Sequence, residues 1–274
     1  MTAVRARIAP APMGTLRRAA LARTQVELKG FVRNRQSLVF TLLFPVLLLL
    51  VFGAIFHGRV AGTSTDFKQV FMAGIIAAGI MSVAFQGLAI NVATERDSGL
   101  LRRLGSTPMP KAAYFAGKIV RVALMALLEV AMLLAISAAA FGLPLPATPG
   151  RWLTLAWVCL LGTASCALLA MAYSAVIPNA RTATAVVTPP FMVLQFISGV
   201  FFPFNQLPRW MQTLAGLFPL KWMAQGLRSV FLPDSFTVVE PAQGWEHGRT
   251  ALVLALWCVA ALITSVLTFR WSER

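Results

Sequence analysis

Leu47-Leu48-Leu49-Leu50-Val51-Phe52 lies inside residues 37–56, a run of 20 residues without a charged side chain. A bilayer core takes about 20 mostly apolar helical residues to cross, so this run reads as a membrane span. Five more runs have the same character: residues 69–94, 122–150, 152–180, 182–208 and 250–269, with Glu129 the one charge inside them. The sequence therefore predicts six transmembrane helices. Residues 210–220 form a shorter apolar stretch of 11 that contains Pro219, too short to cross and better read as a re-entrant or interfacial helix. Composition agrees: 58% of the 274 residues are hydrophobic and 12% charged, against about 45–50% and about 25% in soluble domains. Too little polar surface is left to cover a water-soluble globule.

The 24 Lys and Arg outnumber the 9 Asp and Glu, a formal charge of +15. With the amino terminus inside, eight cations precede the first span: Arg5, Arg7, Arg17, Arg18, Arg23, Lys29, Arg33 and Arg35. Arg96, Arg102, Arg103, Lys111, Lys118 and Arg121 follow the second span; Arg181, Arg270 and Arg274 complete the inner set. That places 17 cations inside and 7 outside, and short-loop Lys and Arg set orientation. Both termini are thus expected in the cytoplasm, and the surplus charge reads as topology and not as a nucleic-acid surface. The basic region runs some 35 residues before an apolar run long enough to span, so a cleaved signal peptide is not expected. The preference for arginine, 19 of the 24 cations, suggests a GC-rich bacterial genome; the expected location is the bacterial inner membrane.

Residues 1–36 form a cytosolic segment, and residues 37–274 the six-span domain. Pro10 and Pro12 favour an irregular start. Beyond them Leu21, Leu28 and Val32 share a narrow helical arc, with Thr24, Gln25 and Phe31 beside it and Arg23, Lys29 and Arg33 away from it. This amphipathic pattern predicts a helix in the membrane interface; a flexible basic tail is the alternative. Between the second and third spans, residues 94–110 mix Glu95, Arg96, Asp97, Arg102 and Arg103 with Leu100, Leu101 and Leu104, then stop at Pro108-Met109-Pro110. The leucines give a short helix an apolar edge that suits either a groove on a partner or the lipid surface. In the long segment before the last span, Asn205 is expected to cap a helix whose early residues include Pro208. Trp210, Leu214, Leu217 and Phe218 would share one face, and residues 220–232 form a second helix with Trp222, Met223 and Arg228. Trp210 and Trp222 are expected at the membrane–water boundary.

Within the spans, Gly162, Cys166, Ala170 and Ser174 recur every four residues, a seam that lets helices approach closely, in the same chain or in a second copy. Glu129 has two readings. It is an intramembrane acid with a transport or coupling role, or an interfacial acid, since it lies only eight residues past Arg121 in a run with slack. Cys159, Cys166 and Cys258, with the widely separated His57 and His247, offer no zinc-ligand spacing and read as small apolar residues; no metal site is expected. There is no G-x-x-x-x-G-K-[ST] phosphate loop; Gly117-Lys118 lacks the upstream glycine and the hydroxyl residue. There is no G-x-S-x-G elbow and no H-E-x-x-H. The chain is not expected to be an enzyme.

At Glu95-Arg96, Gly99-Leu100-Leu101-Arg102-Arg103-Leu104 and Pro108 the chain resembles the permease subunits of ABC type-2 exporters, which carry an E-R-x-x-G-x-[LM]-x-x-L-x-x-[ST]-P-like stretch after the second span. Gly199-Val200-Phe201-Phe202-Pro203, then Leu207-Pro208-x-Trp210, Pro219-Leu220-x-Trp222 and Gly226-Leu227-Arg228 are similar to the segment before the last span in that family. The loop motifs look most like those of the daunorubicin-resistance-type drug exporters. The resemblance implies a separate ATPase subunit that holds ATP and magnesium, with no cofactor on this chain, and a complex with a second permease copy in the lipid bilayer. It implies ATPase contact through the amino-terminal helix and through Glu95, Arg96, Gly99, Leu100, Leu101, Arg102, Arg103, Leu104 and Pro108. Short external helices bearing Pro203, Pro208, Trp210, Pro219, Trp222 and Arg228 would close the outer end. The implied cargo is a hydrophobic or amphipathic compound such as a drug, antibiotic or lipid. Alternatives are export of a surface polysaccharide or lipid-linked polymer, against which 19 Phe but only 2 Tyr weigh, and a membrane assembly protein that transports nothing.

Overall fold

The computed structural model describes residues 13–33, 35–56, 58–60, 62–107 and 109–269. The expectations for Arg5, Arg7, Pro10, Pro12, His57, Pro108, Arg270 and Arg274 fall outside these residues, as do those for the side chains of Arg17, Phe31, Val32 and Arg35. Among the described residues every regular element is helical; one isolated antiparallel bridge joins Arg59 to Asp66.

In chain order the α-helices are α1 (Met13–Arg33), α2 (Arg35–Ile55), α3 (Phe67–Met81), α4 (Leu88–Asp97), α5 (Leu100–Gly105), α6 (Lys111–Phe141), α7 (Pro149–Tyr173), α8 (Ala180–Ile197), α9 (Arg209–Gly216), α10 (Pro219–Phe231) and α11 (His247–Thr268). A π-helical turn, Ser82–Gly87, joins α3 to α4 without a break, and a 3-10 turn, Ser174–Val176, extends α7. Among the described residues, four helical stretches are long and apolar enough to cross a bilayer: Phe67–Asp97, Lys111–Phe141, Pro149–Val176 and His247–Thr268. The first expected span holds the shorter apolar stretch Thr41–Ile55, and the fifth is the 18-residue α8 with Pro189 and Pro190 inside it.

Local chemistry sets the ends. Asp66 accepts a hydrogen bond from Lys68 N at 3.0 Å to start α3, and Asn179 accepts one from Thr182 N at 3.0 Å to start α8. Thr148 caps α7, whose first residue is Pro149, a position where a missing N–H costs nothing. Gly142, at φ 62°, closes α6 in the left-handed conformation that glycine tolerates. The third apolar run therefore yields a helix ending at Phe141, and residues 142–148, with Pro144 and Pro146 among them, are not helical. In α8, Pro190 cannot donate to Val186 O four residues back; Tyr173 Oη does so instead at 3.2 Å.

Every residue from Val70 to Met81 is buried, so α3 is the central helix, apolar all round. It packs against α2, α6, α7 and α10, while α7 lies along α11. Gly74 brings α3 so close to the backbone of Val200 that an added β-carbon would sit 2.5 Å from Val200 O. At the periphery α11 leaves Leu252, Leu256, Val259, Ile263, Val266 and Leu267 exposed. Such a face suits lipid, which solvates it as well as protein would.

One expectation for the segment before the last span changes. Asn205 caps nothing: it sits in a 3-10 turn, Phe204–Gln206, and α9 begins at Arg209 with Pro208 in the cap position. The fixed φ of Pro208, at −54°, suits the residue just ahead of a helix, and its carbonyl accepts from Met211 N and Gln212 N. Trp222 is 7% exposed, its indole N–H donating to Gly216 O at 2.8 Å; Trp210 is the exposed one, at 63%.

Candidate functional site

One end of the bundle carries a charged cluster built from three helices. Arg23 and Glu27, one turn apart, form a buried ion pair on α1. Lys118 of α6 is fully buried, its Nζ 2.8 Å from Glu27 Oε1, 2.6 Å from Glu95 Oε1 and 2.6 Å from Asn91 Oδ1. Arg121, one turn further along α6, reaches Glu27 Oε2 at 3.1 Å and Asn91 Oδ1 at 3.3 Å. Tyr114 Oη donates to Glu95 Oε2 at 2.8 Å, and Arg23 Nη2 lies 3.4 Å from Glu95 Oε1. The approach of α1 to α6 depends on Gly117, where a β-carbon would come 2.8 Å from Arg23 Cγ. Burial opposes the charged form of Glu27, but Lys118, Arg23 and Arg121 outweigh it and hold its carboxyl below the usual range.

The two residues after Glu95 fasten other helices. The Arg96 guanidinium donates to Ser174 O at 3.1 Å and to Ile177 O, carbonyls at the end of α7; a cation there also suits the negative end of the helix dipole. The Asp97 carboxylate accepts from Ala180 N, the first residue of α8, where an anion suits the positive end. Three successive side chains thus tie α1 and α6, α7, and α8 to the same turn of α4. Lys111 Nζ donates to Phe269 O at 2.9 Å, bringing the end of α11 to this cluster as well.

Directly after this turn comes α5. Gly99, at φ 73°, reverses the chain in the left-handed region. Leu101 is buried and Leu104 packs on the core, so these members of the apolar edge face the chain itself, while Arg102 and Arg103 are exposed. Beside α5 opens a cavity of about 570 Å³ between α1, α2, α4 and α6. Arg23, Glu27, Asn91, Glu95 and Arg121 line one part of it, and Val83, Leu88, Val122 and Met125 another.

On α1 the side turned to α6 is the polar one. Arg23 and Glu27 are buried, while on the opposite side Leu21 is exposed and Leu28 half-buried. No motif in the sequence marks Glu27, Asn91 or Tyr114. Glu27 carried a signal: it is the sole acid in a segment with eight cations.

At the other end, Arg228 is 2% exposed and pairs in bidentate fashion with Glu240, at 2.6 Å and 3.3 Å, while its Nη1 donates to Gly199 O. Lys221 Nζ lies 3.4 Å from the centroid of the Trp222 ring and donates to Gln225 Oε1. Burial lowers the Lys221 ammonium to about 8, with Glu246 working the other way. Pro219 is the first residue of α10, while Pro203 opens the Phe204–Gln206 turn. Arg228 and Trp222 thus belong to one buried block that Trp210 does not join. The seam on α7 is used within the chain: a β-carbon on Gly162 would meet Met223 at 2.9 Å, and Cys166 Sγ lies 3.8 Å from Met223 Sδ.

An all-helical bundle with bilayer-length apolar helices and a buried ionic hub defines a polytopic membrane protein. Residues 19–232 match the family described as ABC-2 type transporter, and the chain belongs to that family. It is similar to a protein of Porphyra purpurea named "Putative transport permease ycf38", 23% identical over 212 residues that cover 76% of this chain and 72% of that one. The chain is accordingly a membrane component of the ABC-2 transporter type.

Proposed function

We propose that the chain is the permease subunit of an ATP-driven exporter in a bacterial inner membrane, moving a hydrophobic or amphipathic compound outward. It would cross the membrane six times, α2 and α8 supplying the two spans beyond the four long helices. The separate ATPase subunit docks on α5 and α1, and a second permease copy completes the complex. The observation that carries this reading is the fastening of four helices to one turn of α4 through Glu95, Arg96 and Asp97, with Arg102 and Arg103 exposed on the adjoining α5. A displacement of α5 by an ATPase would be passed at once to α1, α6, α7 and α8. Arg102 and Arg103 supply contact to the partner, whereas Glu95 and Arg96 act inside the permease.

The test is copurification of the permease with an ATPase subunit, followed by ATP-dependent efflux in vesicles holding both. Arg102→Glu with Arg103→Glu should abolish copurification and leave the melting temperature of the permease unchanged. If the charge-reversed chain still binds the ATPase and drives efflux, α5 is not the docking element. If no ATPase associates with the wild type, the exporter reading fails.

A further inference from the structure

Glu129 is fully buried in α6, and neither of its carboxyl oxygens has a hydrogen-bond partner among the described residues. Because α6 ends at Phe141, Glu129 lies about 12 Å past Arg121 and about 18 Å short of the helix end, at 1.5 Å per residue. It is deep within the span. Its Oε1 rests on α3 at Gly79, where an added β-carbon would be 2.3 Å away.

Val122, Met125 and Glu129 follow one another at spacings of three and four, along one face of α6. Val83 and Gly79 are four apart on the facing helix. Val122, Met125 and Val83 all line the apolar part of the 570 Å³ cavity, so the contact between Glu129 and Gly79 lies about one turn, some 6 Å, beyond its wall. Met125, unbranched and with three rotatable side-chain bonds, is the residue next to Glu129 on that face.

A carboxyl group in such a place is held either as the neutral acid or against a cation from outside the chain, since an unpaired carboxylate in apolar surroundings costs several kcal/mol. The cations of the neighbouring elements are engaged elsewhere, Arg23 of α1 with Glu27 and Glu95. On α3 the one charged residue is Lys68, directed to the Phe141 ring 5.6 Å away. On α7 it is Arg151, 3.8 Å from Asp234. Residues 41–55 of α2 and the Ser82–Gly87 turn carry no charge. On α6 itself, Lys118 and Arg121 are committed to Glu27, Glu95 and Asn91.

We propose that Glu129 is the charge-selecting end of a site for lipophilic cations, amines or quaternary onium compounds, whose apolar body occupies the cavity. This rests on the exporter reading and adds to it the charge of the cargo. A rotation of Met125 and a small separation of α3 from α6 connect cavity and carboxyl. As the cation arrives the neutral acid releases its proton to water, so the buried site is uncharged before and after. A volume of about 570 Å³ falls in the range that encloses drug-sized molecules.

The test uses the permease–ATPase complex in lipid nanodiscs, with tetraphenylphosphonium as the cation and Nile red as a neutral probe. Glu129→Gln, which keeps shape and removes charge, is expected to weaken tetraphenylphosphonium binding about tenfold or more and to leave Nile red binding unchanged; Glu129→Asp restores most of the loss. Tetraphenylphosphonium carries no proton, so its binding to the wild type in weak buffer should release one from the protein, a readout that needs no variant. Equal loss of both probes, unaltered tetraphenylphosphonium binding in the variant, or binding without proton release overturns the proposal. If the wild type binds tetraphenylphosphonium through Glu129 yet exports neither probe with ATP, the exporter reading falls and the site stands.

Discussion

Lys118 Nζ lies 2.6 Å from Glu95 Oε1, and the lysine side chain is fully buried. The pair joins α6 to α4 at the turn from which α7 and α8 are also held. A buried ion pair is weak evidence for net stability, but breaking one by removing a single partner costs about 3–5 kcal/mol. Lys118→Met leaves Arg23 and Arg121 to face Glu27 and Glu95, so the expected loss is at the lower end, about 3 kcal/mol. Thermal unfolding of the purified permease measures it. Combining Lys118→Met with Glu95→Gln should cost clearly less than the two single changes added together, because the second removes a charge that the first stranded.

The docking of α1 should respond to acid. The Glu27 carboxyl is held below its usual range in the folded protein. A depressed acid contributes stability that is complete above its unfolded value, about 4.3, and lost as pH falls through the lower folded value. The melting temperature is therefore expected to be insensitive to this group from pH 7 to about 5 and to drop below about 4. Glu27→Gln should start lower at pH 7 and lack that acid-dependent part of the fall. Parallel curves for the two proteins down to pH 3 would show that Glu27 gains nothing from its three cations.

The course of the chain was more legible in the sequence than the site. Long charge-free runs report helices directly, since backbone hydrogen bonds within lipid must be satisfied within the segment, and α3 with α4, α6, α7 and α11 follow from them. Run length is blind to where a helix stops inside an apolar stretch. Gly142 and Pro144 end α6 at Phe141, so Glu129 lies some 12 residues before the helix end and not some 20 before the end of the apolar run. At the hub, the motif around Glu95 marked the right turn. Its partners lie on other helices, and no spacing within one helix reveals that Arg96 reaches Ile177 or that Lys118 meets Glu27. The pairing of Arg228 with Glu240 was hidden for the same reason.

Glycines that allow close approach should differ sharply in what they tolerate. At Gly74 a β-carbon would meet the backbone of Val200, at 2.5 Å from its carbonyl oxygen. Backbone cannot yield without moving α3 against the turn at Gly199. At Gly162 the same atom would meet only side-chain atoms, Cγ, Sδ and Cε of Met223, each at 2.9 Å, and a methionine side chain repacks more readily than backbone. Gly74→Ala is expected to cost about 2–3 kcal/mol or to prevent folding, as overpacking does; Gly162→Ala should cost less than about 1 kcal/mol. Expression level and unfolding temperature of the two variants, side by side, decide the matter. A smaller loss for Gly74→Ala than for Gly162→Ala would contradict the packing described.

Lys221 sets two effects against each other, and a pH series separates them. Its ammonium lies over the Trp222 ring at 3.4 Å, a contact worth about 2 kcal/mol when desolvated. Burial nevertheless lowers the group to about 8. A base whose folded value is depressed binds its proton less tightly in the folded state. Its charge therefore costs stability below about 8, and the cost is relieved as pH rises toward the unfolded value near 10.5. A difference of that size corresponds to about 3 kcal/mol at most. Lys221→Met keeps the stem beside Trp222 and removes the charge. It is expected to melt above the wild type at pH 7, by several degrees, and to converge with it by pH 10. Were the ring contact the larger effect, the variant would instead melt lower at pH 7, and the gap would narrow as the wild-type lysine lost its proton. The sign of the difference at neutral pH is what separates the two.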